Sequence, residues 1–190
     1  MGGYMVASVE MTVAVLFARK DSNYKSIPGC DVWDVERDAR LWPGGCPVIA
    51  HPPCRAWGRL RQFARVSEGE KQLAIRAVEH VRHFGGCLEH PAYSTLWNVC
   101  NLPRPGEFYD EWGGWTLYLE QFHFGHKALK PTWLYICGVR PSDIPVIPRR
   151  QGRPAYCIRG SLPSVTKAER EHTPFELALW LYELAQRCSS

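Results

Sequence analysis

Two residues in this chain have the types and placement to do chemistry together. Residues 49 to 58 read IAHPPCRAWG, which sets Cys54 behind two consecutive prolines at the end of an apolar run. Further on, CLEHP sets Glu89 at the end of a second short apolar run. A thiolate can add to carbon 6 of a pyrimidine ring. A carboxyl group bonded to ring nitrogen 3 and the exocyclic amine then takes up the charge that develops. Carbon 5 becomes nucleophilic and can accept a one-carbon group. Pro52 and Pro53 hold the backbone extended and stiff, which aims the thiol before a base arrives. The plainer alternative is a cysteine packed in a turn.

The elements around this pair should bring it together. TVAVLF (12 to 17), CDVWDV (30 to 35) and PVIAH (47 to 51) read as strands, the last ended by the prolines. SEGEKQLAIRAVEHVRHFGG reads as a helix. Ser67 and Glu70 form its capping box, Leu73, Ala74, Ala77, Val78 and Val81 share one face, and Gly85 and Gly86 stop it. CLEH follows as a strand. Strand, helix, strand implies a parallel sheet, and ligands in such sheets bind at the carboxyl ends of the strands. Cys54 and Glu89 each follow such an end, so they are expected to be neighbours. WTLYLEQFHFG and KPTWLYICG read as an antiparallel pair at the sheet edge. Residues 139 to 165 read as a long basic loop rich in Pro and Gly. Residues 173 to 188 read as a closing helix, with Thr173 as cap, Pro174 first and Glu176 completing a second capping box. The expectation is one α/β domain over residues 1 to 190: a mostly parallel sheet with an antiparallel edge and a C-terminal helix.

HPPC after a strand and LEHP after the next helix and strand resemble the Pro-Pro-Cys and Glu-Asn-Pro motifs of cytosine-C5 DNA methyltransferases. The compact versions carried by phages and prophages are nearest in pattern. FGHKALKPTWLYICG is similar to their Lys-Lys-Thr-x-Leu-Trp segment, and REHTPFELALWLYELA to their closing helix. The resemblance runs from about residue 12 to 187. It implies a Rossmann-like methyltransferase-type fold, Cys54 as nucleophile, Glu89 as the carboxylate that anchors the base, and DNA as partner. His90 stands where the family usually has Asn. Asp34 and Asp38 stand for the acidic positions that hold the ribose or adenine of S-adenosylmethionine. One departure bears on that cofactor. The family's first strand leads into a Gly-rich loop that lets backbone approach it closely. Here residues 18 to 28 contain no glycine and carry Arg19, Lys20 and Lys25 against Asp21. Weak or absent S-adenosylmethionine binding is therefore expected, with the group donor open. Pro-Pro-Cys before a basic residue is also similar to thymidylate synthase, but the chain length and βαβ order argue against that fold.

Charge and composition narrow the partners. The net charge is +4. Arg55, Arg59, Arg61 and Arg65 crowd behind the HPPC turn, and Arg149, Arg150, Arg153 and Arg159 crowd in the late loop. With Lys130, these are the expected phosphate contacts, and Trp57 and Trp112 are the base-stacking candidates. Reaching Cys54 would require a base flipped out of the duplex. Free pyrimidine nucleotide is the alternative substrate, and a non-catalytic DNA-binding derivative is the alternative to an enzyme. The eight cysteines include no CxxC pair, which points to reduced thiols in a cytoplasmic protein rather than a disulfide framework. No metal is expected. His51 with Cys54, and His123 with His126, have ligand-like spacing, but zinc needs four converging ligands and a zinc deaminase needs motifs this chain lacks. The start MGGYMVASVEM lacks a secretory pattern, and no run is long enough to span a bilayer.

Overall fold

Successive side chains of a strand point to opposite faces, and that alternation sorts the core into two halves. The fold is given by a computed structural model that describes residues 12–155 and 165–188. Its strands are β1 (Val13–Leu16), β2 (Cys30–Trp33), β3 (Val48–Ala50), β4 (Gly86–Pro91), β5 (Trp115–Glu120) and β6 (Pro131–Cys137). Ala14, Leu16, Val48, Ala50, Leu88 and Tyr135 bury into one layer, and Val13, Val15, Ile49, Cys87, Leu134 and Ile136 into the other. The first layer lies under helix α1 (Glu70–Phe84), which buries Ala74, Ala77, Val78 and Val81. The second lies under the last helix, α4 (Phe175–Gln186), which buries Leu177, Ala178, Leu181, Leu184 and Ala185. Two short helices, α2 (Leu96–Val99) and α3 (Lys167–Glu171), complete the described set. Strands covered on both faces read as continuous apolar runs, which is why VAVL is fully buried.

The sheet order is β2-β1-β3-β4-β6-β5. The first four strands are parallel; β6 runs antiparallel to both β4 and β5. The architecture is thus a mixed α/β sheet of six strands, mostly parallel, with an antiparallel edge and a C-terminal helix. The chain leaves β1 outward to β2 and then returns to place β3 on the other side of β1. That reversal makes the carboxyl ends of β1 and β3 a topological switch point.

Two local expectations need correction. Ser67 does not cap α1 with its side chain: Gly69 is the cap residue, and only the Ser67 N–H to Glu70 carboxylate half of the box forms, at 3.5 Å. Thr173 and Glu176 do not cap α4 either. Pro174 is the cap residue, and the Thr173 carbonyl accepts from Asn23 Nδ2 at 2.8 Å. A true capping box, Thr166 with Glu169, instead starts α3 just beyond the stretch from 139 to 165. The first part of that stretch is fastened down. Trp180 Nε1 donates to the carbonyls of Pro145 and Val146, and Ala155 N–H donates to the Lys127 carbonyl at 2.8 Å. Cys157 and Arg159 lie outside the described residues.

The end of α1 sets the register of the site. Gly86 has φ 109, and a Cβ there would collide with the Val48 backbone of the adjacent strand. Neither element can yield, since both are buried sheet. Gly86→Ala is expected to destabilise the fold by about 3 kcal/mol or more, read as a lowered midpoint in chemical denaturation. A midpoint equal to wild type would refute this close approach.

Candidate active site

The carboxyl ends of β3 and β4 lie side by side, because Ala50 pairs with Leu88 in parallel register. The chain leaves β3 through His51, Pro52 and Pro53 to Cys54. The Cys54 carbonyl accepts the N–H groups of Trp57 at 3.0 Å and Gly58 at 2.9 Å, which closes a turn directly behind the thiol. Ala56 and Trp57 sink into the core, and the Trp57 carbonyl accepts from the Thr95 N–H and hydroxyl. The base of the loop is therefore rigid while Cys54 itself is exposed. The surrounding protein pushes the thiol above its ordinary value; the Glu89 carboxylate adds to this, and Lys130 opposes it. The parallel pairing of β3 with β4 sets Cys54 and Glu89 beyond neighbouring strand ends.

Glu89 is gripped from several elements. His51 Nδ1 lies 3.3 Å from its Oε2, and Gln121, at the end of β5, donates to Oε1 at 2.8 Å. Thr132 of β6 donates to the same oxygen at 3.5 Å. Burial alone would raise the carboxyl pKa. The His51 hydrogen bond, then Lys130, then the His51 and His90 rings outweigh it and hold Glu89 at about 2. His90 faces inward with no exposure, its Nδ1 2.7 Å from Ser94 Oγ, and burial pulls it down to about 4. Behind His51, the Tyr24 hydroxyl lies 3.0 Å from Nε2. Lys130 has φ 44 and reaches the His172 carbonyl at 3.4 Å, and its ammonium favours the ionised forms of both Glu89 and Cys54.

At the switch point, a groove of about 810 Å³ opens beside this cluster, lined by Phe17, Ala18, Asp34, Asp38, Arg55 and Arg76 among others. Both candidate cofactor carboxylates border it, and both are engaged. Asp34 is buried, pairs with Lys25 at 2.7 Å and accepts the N–H groups of Glu36 and Arg37, which holds it at about 2. Asp38 pairs with Arg40 at 2.7 Å. The cations of the glycine-free loop are also engaged. Arg19 pairs with Asp21 and Glu171, Lys20 with Glu36, and Lys25 with Asp34. The expectation of a repulsive basic loop is corrected: its charges are neutralised in place.

The remaining expected contacts divide. Arg55 binds Glu70 at 2.7 Å, with more than half its side chain still exposed. Arg59 is exposed in the segment that follows Cys54. Arg149, Arg150 and Arg153 are exposed, and Arg150 lies 5.0 Å from the Phe122 ring with its N–H on His123 Nδ1, at the same sheet end as Glu89. Trp57 is 4% exposed, so it anchors the loop from inside and offers no face for a base. Trp112 stacks 3.7 Å from the Arg82 guanidinium near the entry to β5, the end of the sheet away from Cys54. Among the described residues, no group of three or more His, Cys, Asp or Glu side chains is placed to hold a metal ion. His126 uses both ring nitrogens on the backbone of Ala128 and Glu169. No described helix is long and apolar enough to cross a membrane.

No family model matches this chain, and no curated protein matches it.

Sequence reasoning named Cys54, Glu89 and Lys130 but missed Tyr24, Gln121 and Thr132, and weighed His51 only as a metal ligand. His51 and Gln121 carried a usable signal: each follows a strand end at the level of Glu89. Tyr24 carried none, since it sits in a loop whose path depends on a single 3-10 turn, Asn23–Ser26.

Proposed function

We propose that this chain modifies a pyrimidine in DNA, cytosine foremost, through a covalent adduct between Cys54 and ring carbon 6. The observation that carries this reading is the meeting of an exposed thiol and an anchored carboxylate at the carboxyl ends of adjacent parallel strands, with the Lys130 ammonium at the entry to antiparallel β6. The single switch point between β1 and β3 supports taking the fold as Rossmann-like and methyltransferase-type. In the first step the Cys54 Sγ–C6 bond forms, and the C5=C6 electron pair moves toward C5 and N3. The thiol proton passes by way of the Glu89 carboxylate to N3. Glu89 begins as an acceptor for the exocyclic amine. A ring seated against it removes water and raises its proton affinity when a proton must be carried. Lys130 favours the thiolate that attacks. Carbon 5 is then nucleophilic. With water as the only electrophile it takes a solvent proton; water then accepts its original hydrogen, the C5=C6 bond reforms as Cys54 leaves as a thiolate, and the N3 proton returns through Glu89 to the sulfur.

S-adenosylmethionine would lie in the groove at the switch point. The residues there do not fit it. Asp34 is engaged by Lys25 of the preceding loop and Asp38 by Arg40 of its own, and Phe17 lines the groove where close backbone approach is needed. No methyl step is assigned, and the reading ends at the adduct and its nucleophilic carbon.

Duplex DNA is favoured over free nucleotide by the segment from 58 to 66. It presents Leu60 at 58% and Phe63 at 77% exposure, among the exposed Arg59, Arg61 and Arg65. An apolar wedge flanked by cations suits insertion at an opened base step. Replacing these three arginines by Gln is expected to reduce the salt slope of DNA binding by about 0.9 for each phosphate that they neutralise. Fluorescence anisotropy across a salt series measures it, and an unchanged slope would take this segment out of the DNA interface.

The test of the function itself is hydrogen exchange at carbon 5. Duplex DNA incubated with the protein in heavy water should gain deuterium at cytosine C5, seen by mass spectrometry of the released nucleosides. Free deoxycytidine monophosphate should gain far less. No exchange in either substrate would contradict the reading.

A further inference from the structure

We propose that Tyr24 and His51 are positioning residues that lock Glu89, fixing the imidazole tautomer so that its Nδ1–H grips one carboxylate oxygen while the outer lone pairs stay turned toward an incoming base. The inference rests on the adduct chemistry proposed above and adds residues that do not touch the base.

The lock follows from a hydrogen-bond count. Tyr24 is 1% exposed and its hydroxyl lies 3.0 Å from His51 Nε2. Burial, with Cys87, Glu89 and Cys30 nearby, pushes the phenol well above its ordinary value, so the proton stays on oxygen. A buried hydroxyl proton left without an acceptor is costly, and among the described residues His51 is the hydrogen-bond partner of this hydroxyl. Nε2 therefore accepts, and the ring hydrogen sits on Nδ1, 3.3 Å from Glu89 Oε2. Gln121 and Thr132 hold the other oxygen. The remaining charged or titratable groups that bear on Glu89 are Lys130 at the entry to β6, His90 beside it on β4, and the Cys54 and Cys87 thiols. Among the described residues, His51 alone bonds Oε2. Tyr24 comes from the glycine-free loop after β1, which gives that loop a role: it delivers the hydroxyl that sets the tautomer.

Three variants test this. Tyr24→Phe removes the hydroxyl and little else. His51→Asn keeps an N–H near the place of Nδ1, whereas His51→Leu removes it. Nitrogen-15 spectra should show the His51 hydrogen on Nδ1 in the wild type and a mixture of tautomers in Tyr24→Phe. Carbon-13 titration of Glu89, assigned by loss of its signal in Glu89→Gln, should show an inflection above pH 4 in His51→Leu but not in the wild type or His51→Asn. The rate of C5 exchange should fall about tenfold in Tyr24→Phe and His51→Leu with KM for DNA unchanged, and the acid limb of its pH profile should move up. His51→Asn should recover most of the rate. The same Glu89 titration and the same pH profile in His51→Leu as in the wild type would overturn the lock. If His51→Leu does not fold, an Nε2-protonated ring in the wild type, or a Tyr24→Phe spectrum identical to it, overturns the lock as well. A wild type with no C5 exchange would fail the adduct chemistry instead, while the two spectroscopic readouts would still decide the tautomer and the grip.

Discussion

Cys54→Ser should abolish C5 exchange, lowering it by at least a thousandfold, roughly 4 kcal/mol of transition-state stabilisation. A serine hydroxyl is far less acidic than a thiol, and the surrounding protein and then the Glu89 carboxylate already push even the thiol pKa up. The structural cost should be small. Cys54 is exposed, and the turn behind it is held by its backbone carbonyl, which serine retains. Thermal melting should therefore stay close to wild type. Wild-type exchange in this variant would remove Cys54 from the chemistry and leave a cysteine packed in a turn.

Glu89→Gln should cut exchange by at least tenfold, about 1.4 kcal/mol, while DNA affinity stays within a few-fold. Glutamine cannot carry the proton to N3. It also meets a conflict that the carboxylate avoids. Gln121 donates to one oxygen and His51 to the other, so an amide NH2 must face one of these donors in either orientation. A lost bond of this kind costs about 1–3 kcal/mol, so the variant should melt lower than wild type at neutral pH. The pH dependence has a definite sign. The folded carboxyl is held at about 2, below its ordinary 4.5, so its ionisation contributes stability fully above 4.5 and loses that contribution as pH falls toward 2. Glutamine does not titrate, so the stability gap between wild type and variant should narrow as pH falls through that window. Denaturation at several pH values measures it. A constant gap with unchanged exchange would make Glu89 an ordinary buried acid.

What the sequence made legible is what period and local chemistry determine. VAVL, PVIAH and the helix after Ser67 could be placed because buried strands and amphipathic helices have distinct apolar spacing, and their order forces Cys54 and Glu89 to adjacent strand ends. The fine positioning depended on partners far away in sequence. The cationic side chains of residues 18 to 28 looked unpaired because Glu36, Asp34 and Glu171 sit on other segments. Trp57 looked like a stacking platform because its loop is polar, yet the carbonyl bonds to Thr95 turn it inward. Caps at Ser67 and Thr173 match the pattern, but the chain enters α1 through a left-handed Gly69 and α4 through Pro174. Tyr24 and Gln121 reach Glu89 only through the sheet order β1-β3-β4-β6-β5, which local pattern does not encode.

The central claim is a bond between Cys54 and pyrimidine carbon 6, and intact-mass spectrometry tests it most directly. The probe is a short duplex carrying 2-pyrimidinone in place of cytosine, a ring that lacks the exocyclic amine and is more electrophilic at carbon 6, so that no group donor is needed. The account predicts a species whose mass is the sum of protein and strand, with the modified peptide mapping to Cys54, and no such species with Cys54→Ser. A protein that binds this duplex yet keeps its own mass, or an adduct that maps to a different cysteine, would contradict it.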